Sequence, residues 1–333
     1  MMKLLWRLIH NMEITKKNIK LWSMMGSRAA FGLGLMDLEK EYQDLMVVTS
    51  DVSTSAGLDR FRNKVPDKYV DVGIAEQNLI GVATGLSNIG YNVVTTTFSP
   101  FQTMRCCEQI KNNLGYMNTK ITMVGLASGL VLGTLGFTHS SIEDIGAIRS
   151  IPNIQIISPA DSTETVKSLI ASLDSDKPVY LRLTGGSPNP TVYEDDYDFK
   201  IGKAIQLTKG ENVAVIACGT RVKDSLIAVN KFFEDTKKKC SVYNFHTIKP
   251  IDEKKIHEIA NKYKYIVTVE EHNIIGGLGS AVAESLAKIG AKTKLKTLGI
   301  NDFYPKGGEY AFLLKKLNLD SAGIYSTIKN LIN

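Results

Sequence analysis

The stretch Tyr69–Leu86, YVDVGIAEQNLIGVATGL, puts Glu76 where an apolar strand end passes into a long helical pattern. A carboxylate at a helix start gains about 0.3–1 kcal/mol from the helix dipole, and that alone accounts for many such residues. Its company adds a second reading. In FSPFQTMRCCEQIKNNL, Phe98 and Phe101 stand three residues apart at the next strand-to-helix junction. Open α/β sheets keep their ligand crevices at strand C-termini. Two aromatic rings there either fill core or stack on a planar heterocycle. Burial raises the pKa of an acid and lets it share a proton with a ring nitrogen. Together the acid and the rings have the chemistry to hold an aminopyrimidine.

Such residues need a scaffold that brings several strand ends to one edge. The runs LMVVTSDV (45–52), YNVVTTTF (91–98), KITMVGL (120–126), IQIIS (154–158) and PVYLRL (178–183) read as strands. Helical patterns lie between them in EQNLIGVATGLSNIG, QTMRCCEQIKNNLGYM and TETVKSLIASL. Strands alternating with helices predict a mostly parallel, doubly wound α/β sheet. The Gly-, Pro- and acid-rich segment TGGSPNPTVYEDDYD (184–198) interrupts the pattern and reads as a linker. A second alternating series follows. Its strands are expected at 212–219, 239–246, 265–271 and 294–300, with helices to about Phe233, near Asp252–Lys262 and at 278–290. The expected organisation is an N-terminal extension over 1–22, a first doubly wound domain over 23–185, a linker over 186–200, and a smaller doubly wound domain over 201–333.

The whole chain has 333 residues, more than a single core usually holds. Its composition, 44% hydrophobic, is that of a globular protein. The net charge of +6 suits anionic small substrates, while Lys237–Lys239 and Lys262–Lys264 read as solvated helix faces. No basic run carries interleaved aromatics, so nucleic acid is not an expected partner. The four cysteines, Cys106, Cys107, Cys218 and Cys240, include no CxxC pair. They read as reduced thiols of a cytoplasmic protein, with Cys106–Cys107 as helix packing. The N-terminal MMKLLWRLIHNM lacks a small-residue cleavage site and a long apolar run. It reads as an amphipathic extension, or as residues before a true start at Met12, and not as a signal or membrane span.

DVGIAEQNLIGVATGL, the F-x-x-F…EQI segment and GFTHSSIEDIGAIRSIPNIQIISPADSTE together resemble the pyrimidine-binding domain of transketolase. VAVIACGT and VEEHNIIGGLGSAVAE resemble the C-terminal domain of the same family. The resemblance spans about residues 20–333. It implies that Glu76 hydrogen-bonds the pyrimidine ring of thiamine diphosphate and promotes its imino tautomer. It also implies that Phe98 and Phe101 stack on that ring. Met104 stands where a third aromatic is common, and a Met can pack a ring edge. His139, in GFTH, matches the family's active-site histidine and is expected to touch donor hydroxyls or move a proton. Arg28, Ser55 and Arg182 match positions that grip a sugar phosphate, through charge-assisted hydrogen bonds in the case of the arginines.

The chain departs from the family in two places. In GLASGLVLGTLGFTH, a family histidine falls on Ala127, a family aspartate on Leu135 and a family proline on Phe137. These losses lie on the substrate side, so a sugar other than the usual pentose phosphates is expected, in a dedicated pathway. The second departure is larger. The family's GDG…N motif, which holds Mg²⁺ and the diphosphate, is not in this sequence, and no metal site is expected in this chain. The resemblance therefore implies the C-terminal half of a split enzyme. A separate subunit would carry the diphosphate and Mg²⁺ domain, in an α2β2 assembly acting on sugars or sugar phosphates. The Gly-rich helix after Glu76 would suit close packing at that interface. A 2-oxo acid dehydrogenase β subunit shares both domains and the acid, but Arg28, Ser55, Arg182 and GFTH favour sugars. A non-catalytic scaffold is the third alternative, against which Glu76 and the phenylalanine pair argue. In the second domain, Glu270, Glu271, His272 and the loop GGLGS (276–280) read as structural.

Overall fold

The structure, a computed structural model, describes residues 14–332. The amphipathic reading of MMKLLWRLIHNM lies outside the described residues. Twelve strands are labelled in chain order: β1 Leu45–Thr49, β2 Tyr69–Asp71, β3 Asn92–Phe98, β4 Ile121–Ser128, β5 Gln155–Ile157, β6 Val179–Thr184, β7 Ile205–Thr208, β8 Val213–Ala217, β9 Ser241–Asn244, β10 Thr247–Lys249, β11 Tyr265–Asn273 and β12 Lys294–Ile300. They form a seven-stranded sheet of order β10-β5-β6-β4-β3-β1-β2 and a five-stranded sheet of order β12-β11-β8-β9-β7. All neighbours are parallel except β10 with β5 and β7 with β9. The two doubly wound α/β units expected from the sequence are both present.

The first sheet's strands read as unbroken apolar runs because helices cover both faces. Alternate side chains take opposite sides. Val47, Val94 and Val124 meet Phe31 and Leu35 of helix Ser27–Leu38 and Val166 and Leu169 of helix Ser162–Leu173. Met46, Val48 and Val93 face Leu79, Ile80 and Ala83 of helix Glu76–Asn88. That second cluster continues without a break into Ala214, Ile216, Phe245 and Ile256 of the second domain.

Three features differ from the expected organisation. Helix Lys16–Met25 crosses the expected boundary at residue 22, and Ile19 and Trp22 are buried in the same cluster as Phe31. Its apolar side belongs to the first domain's core. The segment expected as a linker is held against the first domain. Asp161 accepts hydrogen bonds from the Val192 and Tyr193 amides, and Tyr197 donates to Glu164 at 2.8 Å. Finally, β10 of the second domain closes the edge of the first sheet, with Thr247 opposite Ile157. Within the first unit, the helical pattern of QTMRCCEQIKNNLGYM is broken up: a short helix Ser99–Thr103 precedes a turn Cys107–Gln109 and a wide π turn Ile110–Tyr116.

Candidate functional site

Glu76 owes its position to the turn before it. Gly73 has a φ of +71°, which glycine adopts without steric cost. Asp71 ties that turn, accepting from the Asp51 and Gly73 amides at 3.0 and 2.9 Å and from the Thr49 hydroxyl at 3.0 Å. Burial pushes the Asp71 carboxyl up, but these bonds outweigh it and hold it below its ordinary value. Ser50 closes the turn, donating to Gly73 O at 2.6 Å and accepting from Ala75 N at 3.1 Å. Helix Glu76–Asn88 then starts with its first side chain buried, at 4% exposure.

Phe98 ends β3, and Phe101 stands on the short helix that begins at Ser99. Their rings meet edge to face at 6.4 Å and 84°. His139 joins them from the loop after β4, 5.3 Å from Phe101 and 6.4 Å from Phe98. Its ring nitrogen Nδ1 lies 3.0 Å from the Thr138 hydroxyl. The loop is pinched shut by a two-way backbone pair between Gly129 and Ser141, each bond 2.9 Å. Glu271, from β11 of the second domain, anchors its start by accepting from Leu130 N at 2.7 Å. Gly129, at φ +74°, leaves room for that carboxylate, which a Cβ would strike.

The structure brings Phe98, Phe101 and His139 together. Glu76 is linked to them through Arg105, which the sequence reading missed. Arg105 donates to Glu76 Oε2 at 2.7 Å, and its guanidinium carbon lies over the Phe101 ring, 4.1 Å from the centroid. The sequence held a signal, because Arg105 is four residues beyond Phe101 in a helical stretch, a spacing at which side chains meet. Met104 is 46% exposed beside this group. Arg28 and Ser55 are half-buried and meet each other, Arg28 Nη1 donating to Ser55 O at 3.3 Å. Among the described residues no hydrogen bond or ring contact ties that pair to His139 or Glu76.

Arg182 lies apart from this group. It is 1% exposed and its guanidinium faces buried partners. Its Nε donates to Asp144 Oδ2 at 2.7 Å, and Nη2 donates to the Ser141 and Glu271 carbonyls at 3.0 Å. Tyr180 and Ser99 also donate to Asp144 Oδ2, at 2.7 and 3.0 Å. Burial pushes the Asp144 carboxyl up, yet the Arg182 charge wins and holds it below its ordinary value. Burial pushes His272, behind this pair, down to about 4. The cluster ties the end of β3 and the loop around Ser141 to the second domain.

The loop at 276–280 is already filled. Glu270 accepts from the Leu278 and Gly279 amides at 2.6 and 2.8 Å, using the helix start that a phosphate would need. Of the residues where the sequence departs from family pattern, Ala127 is buried, whereas Leu135 and Phe137 are 56% and 62% exposed near His139. Phe137 lies 5.8 Å from the Tyr304 ring. Among the described residues no group of three or more His, Cys, Asp or Glu is placed to hold a metal ion. No described helix is long and apolar enough to cross a membrane.

Comparison with known proteins gives the same assignment for both domains. The transketolase pyrimidine-binding domain model matches residues 23–188, and the transketolase C-terminal domain model matches residues 202–324. The chain is 38% identical over 282 residues to one subunit of the apulose-4-phosphate transketolase of Actinobacillus succinogenes, covering 84% of this chain and 90% of that one. It is 32% identical over 290 residues to a 6-deoxy-6-sulfo-D-fructose transketolase subunit of Clostridium sp. (strain MSTE9), covering 87% and 89%. Among solved structures, a split gene transketolase described as an inactive beta4 tetramer superposes with a TM-score of 0.82 at 32% identity, covering 92% of this chain and 97% of that one. On its two domains, their order and these relatives, the chain belongs to the transketolase family.

Proposed function

We propose that this chain is the pyrimidine-binding, C-terminal subunit of a two-subunit, thiamine-diphosphate-dependent transketolase. It would serve the transfer of a two-carbon ketol unit from a ketose or ketose phosphate to an aldose. The observation that carries this reading is the buried Glu76 carboxylate beside the Phe98–Phe101–His139 ring cluster. The chemistry of these side chains suits an aminopyrimidine. Glu76 and Phe101 already take a planar hydrogen-bond donor, the Arg105 guanidinium, on the carboxylate and over the ring at once.

Thiamine diphosphate, when bound, supplies the carbanion-stabilising chemistry that ketol transfer requires. The chain's own residues hold and orient it. Glu76 holds or releases a proton at a pyrimidine ring nitrogen, and its burial excludes water from that exchange. Phe98 and Phe101 supply the stacking face, with Met104 at its edge. His139 moves a proton at a substrate hydroxyl. Arg28 commits one donor to Ser55 O among the described contacts, so its other donors serve an anionic sugar together with the Ser55 hydroxyl. Diphosphate and Mg²⁺ are assigned to a separate partner subunit in an α2β2 assembly; two relatives are themselves named as subunits, which supports a divided enzyme. We place the enzyme in the cytoplasm, on its four free cysteines.

Calorimetry with thiamine diphosphate and Mg²⁺ tests the proposal, on this chain alone and on the chain purified with its partner. Binding by the pair and not by the chain alone supports a divided site. Absence of binding by the pair refutes the cofactor assignment. A screen of ketose donors on the pair then gives the substrate. The two relatives bear the names of different ketoses, so the donor has to be measured.

A further inference from the structure

We propose that Arg105 is a built-in occupant of the pyrimidine site, which must swing aside before the cofactor can bind. This inference rests on the cofactor reading above. A bound aminopyrimidine needs two things here at the same time, a donor contact to the Glu76 carboxylate and stacking on Phe101. Arg105 supplies both in the subunit on its own. Its planar guanidinium donates to Glu76 Oε2 at 2.7 Å and covers Phe101 at 4.1 Å. A planar, delocalised cation with a fork of donors is the protein side chain closest in shape and polarity to a protonated aminopyrimidine.

The pair is unequal in burial, with the Glu76 side chain 5% exposed and the Arg105 side chain 43% exposed. The carboxylate is fixed in the wall and the guanidinium reaches in from solvent. Only the guanidinium can leave without unfolding its surroundings. The backbone that carries it is held, since Gln77 donates to Arg105 O at 3.2 Å and Arg105 N donates to Pro100 O at 3.3 Å. The motion is therefore a side-chain rotation. It benefits the unassembled chain, where a buried carboxylate without a partner is costly. It also lowers apparent cofactor affinity, because only the Arg-out fraction is competent to bind. A half-exposed ion pair and a cation–π contact each bias that balance a few-fold, together by about tenfold.

The test uses the assembled enzyme carrying wild-type, Arg105→Gln or Arg105→Lys chains. Thiamine diphosphate affinity is read by calorimetry with Mg²⁺, and thermal melting confirms that each chain is folded. The expected result is about tenfold tighter binding for Arg105→Gln and an intermediate gain for Arg105→Lys, which keeps the charge and loses the planar fork. Equal or weaker binding by a folded Arg105→Gln enzyme, with the wild type binding normally, overturns the occupant role and leaves the cofactor reading standing. No binding by the wild-type assembly removes the cofactor reading, and this inference with it.

Discussion

Asp144 and Arg182 form a salt bridge of 2.7 Å in which neither side chain is more than 1% exposed. Arg182 lies within β6 of the first domain, and its guanidinium also grips a carbonyl of the second. Replacing one member of such a pair strands the other charge in the interior, at a cost of about 3–5 kcal/mol. Arg182→Met is expected to lose that much stability in chemical denaturation, and Asp144→Asn a comparable amount. Any loss of activity should follow unfolding. An Arg182→Met chain of unchanged stability with a raised KM for phosphorylated sugars would support the phosphate role expected from the sequence over a structural one.

Glu76→Gln is expected to lower ketol transfer by about 100-fold or more while leaving the melting temperature near that of the wild type. The substitution leaves a neutral amide in the wall and an Arg105 side chain that is 43% exposed and open to water, so the lost pair costs about 1 kcal/mol at most. The assay is turnover by the assembled enzyme, with circular dichroism melting in parallel. Near-normal turnover would end the proton-sharing role.

Leu135 is exposed in the loop that carries His139. Leu135→Asp should therefore be tolerated within about 0.5 kcal/mol. It is expected to shift the acceptor preference, raising kcat/KM for hydroxylated aldoses relative to the native acceptor. Identical rankings for mutant and wild type would place Leu135 outside the substrate site.

Burial pushes the Glu270 carboxyl up to about 7, against the pull of the Gly279 and Leu278 amides. In the unfolded chain a glutamate titrates near about 4.3. Between those values the folded protein holds a proton that the unfolded chain releases. The stabilisation is full below the lower value and is lost as pH rises through about 7. Buried His272, pushed down to about 4, acts in the opposite sense, and its effect is lost as pH falls below about 6.5. Comparing wild type with Glu270→Gln isolates the carboxyl. From pH 5 to 8 the wild type's margin in unfolding free energy, read by denaturant titration, should shrink by on the order of 2 kcal/mol. A margin that grows with pH would reverse the assignment.

Much of the scaffold was legible because apolar strands in a covered parallel sheet leave uninterrupted runs. The run 294–300 coincides with β12, and 91–98 overlaps β3 to within one residue. β7 and β10 were not legible. They are short, and what makes them strands is pairing with distant partners, not local pattern. At the site, Glu76, Phe98, Phe101 and His139 could be gathered from motifs, and the structure draws the three rings together and links Glu76 to them through Arg105. Arg182 could not be judged from its place in PVYLRL, since an arginine in an apolar strand run reads alike whether it faces solvent or a buried aspartate 38 residues away. Arg105 was visible as a neighbour of Phe101, but its carboxylate partner lies 29 residues earlier.

The pairing of β10 with β5 sets an order of events on the ribosome. Domains usually fold as they emerge, N-terminal first. Here the first sheet has an open edge at β5 until Thr247–Lys249 have been synthesised. An unpaired edge of that kind invites pairing with other chains. The nascent first domain is therefore a natural client for chaperones, and slowing translation between residues 160 and 247 should raise aggregation more than slowing it later.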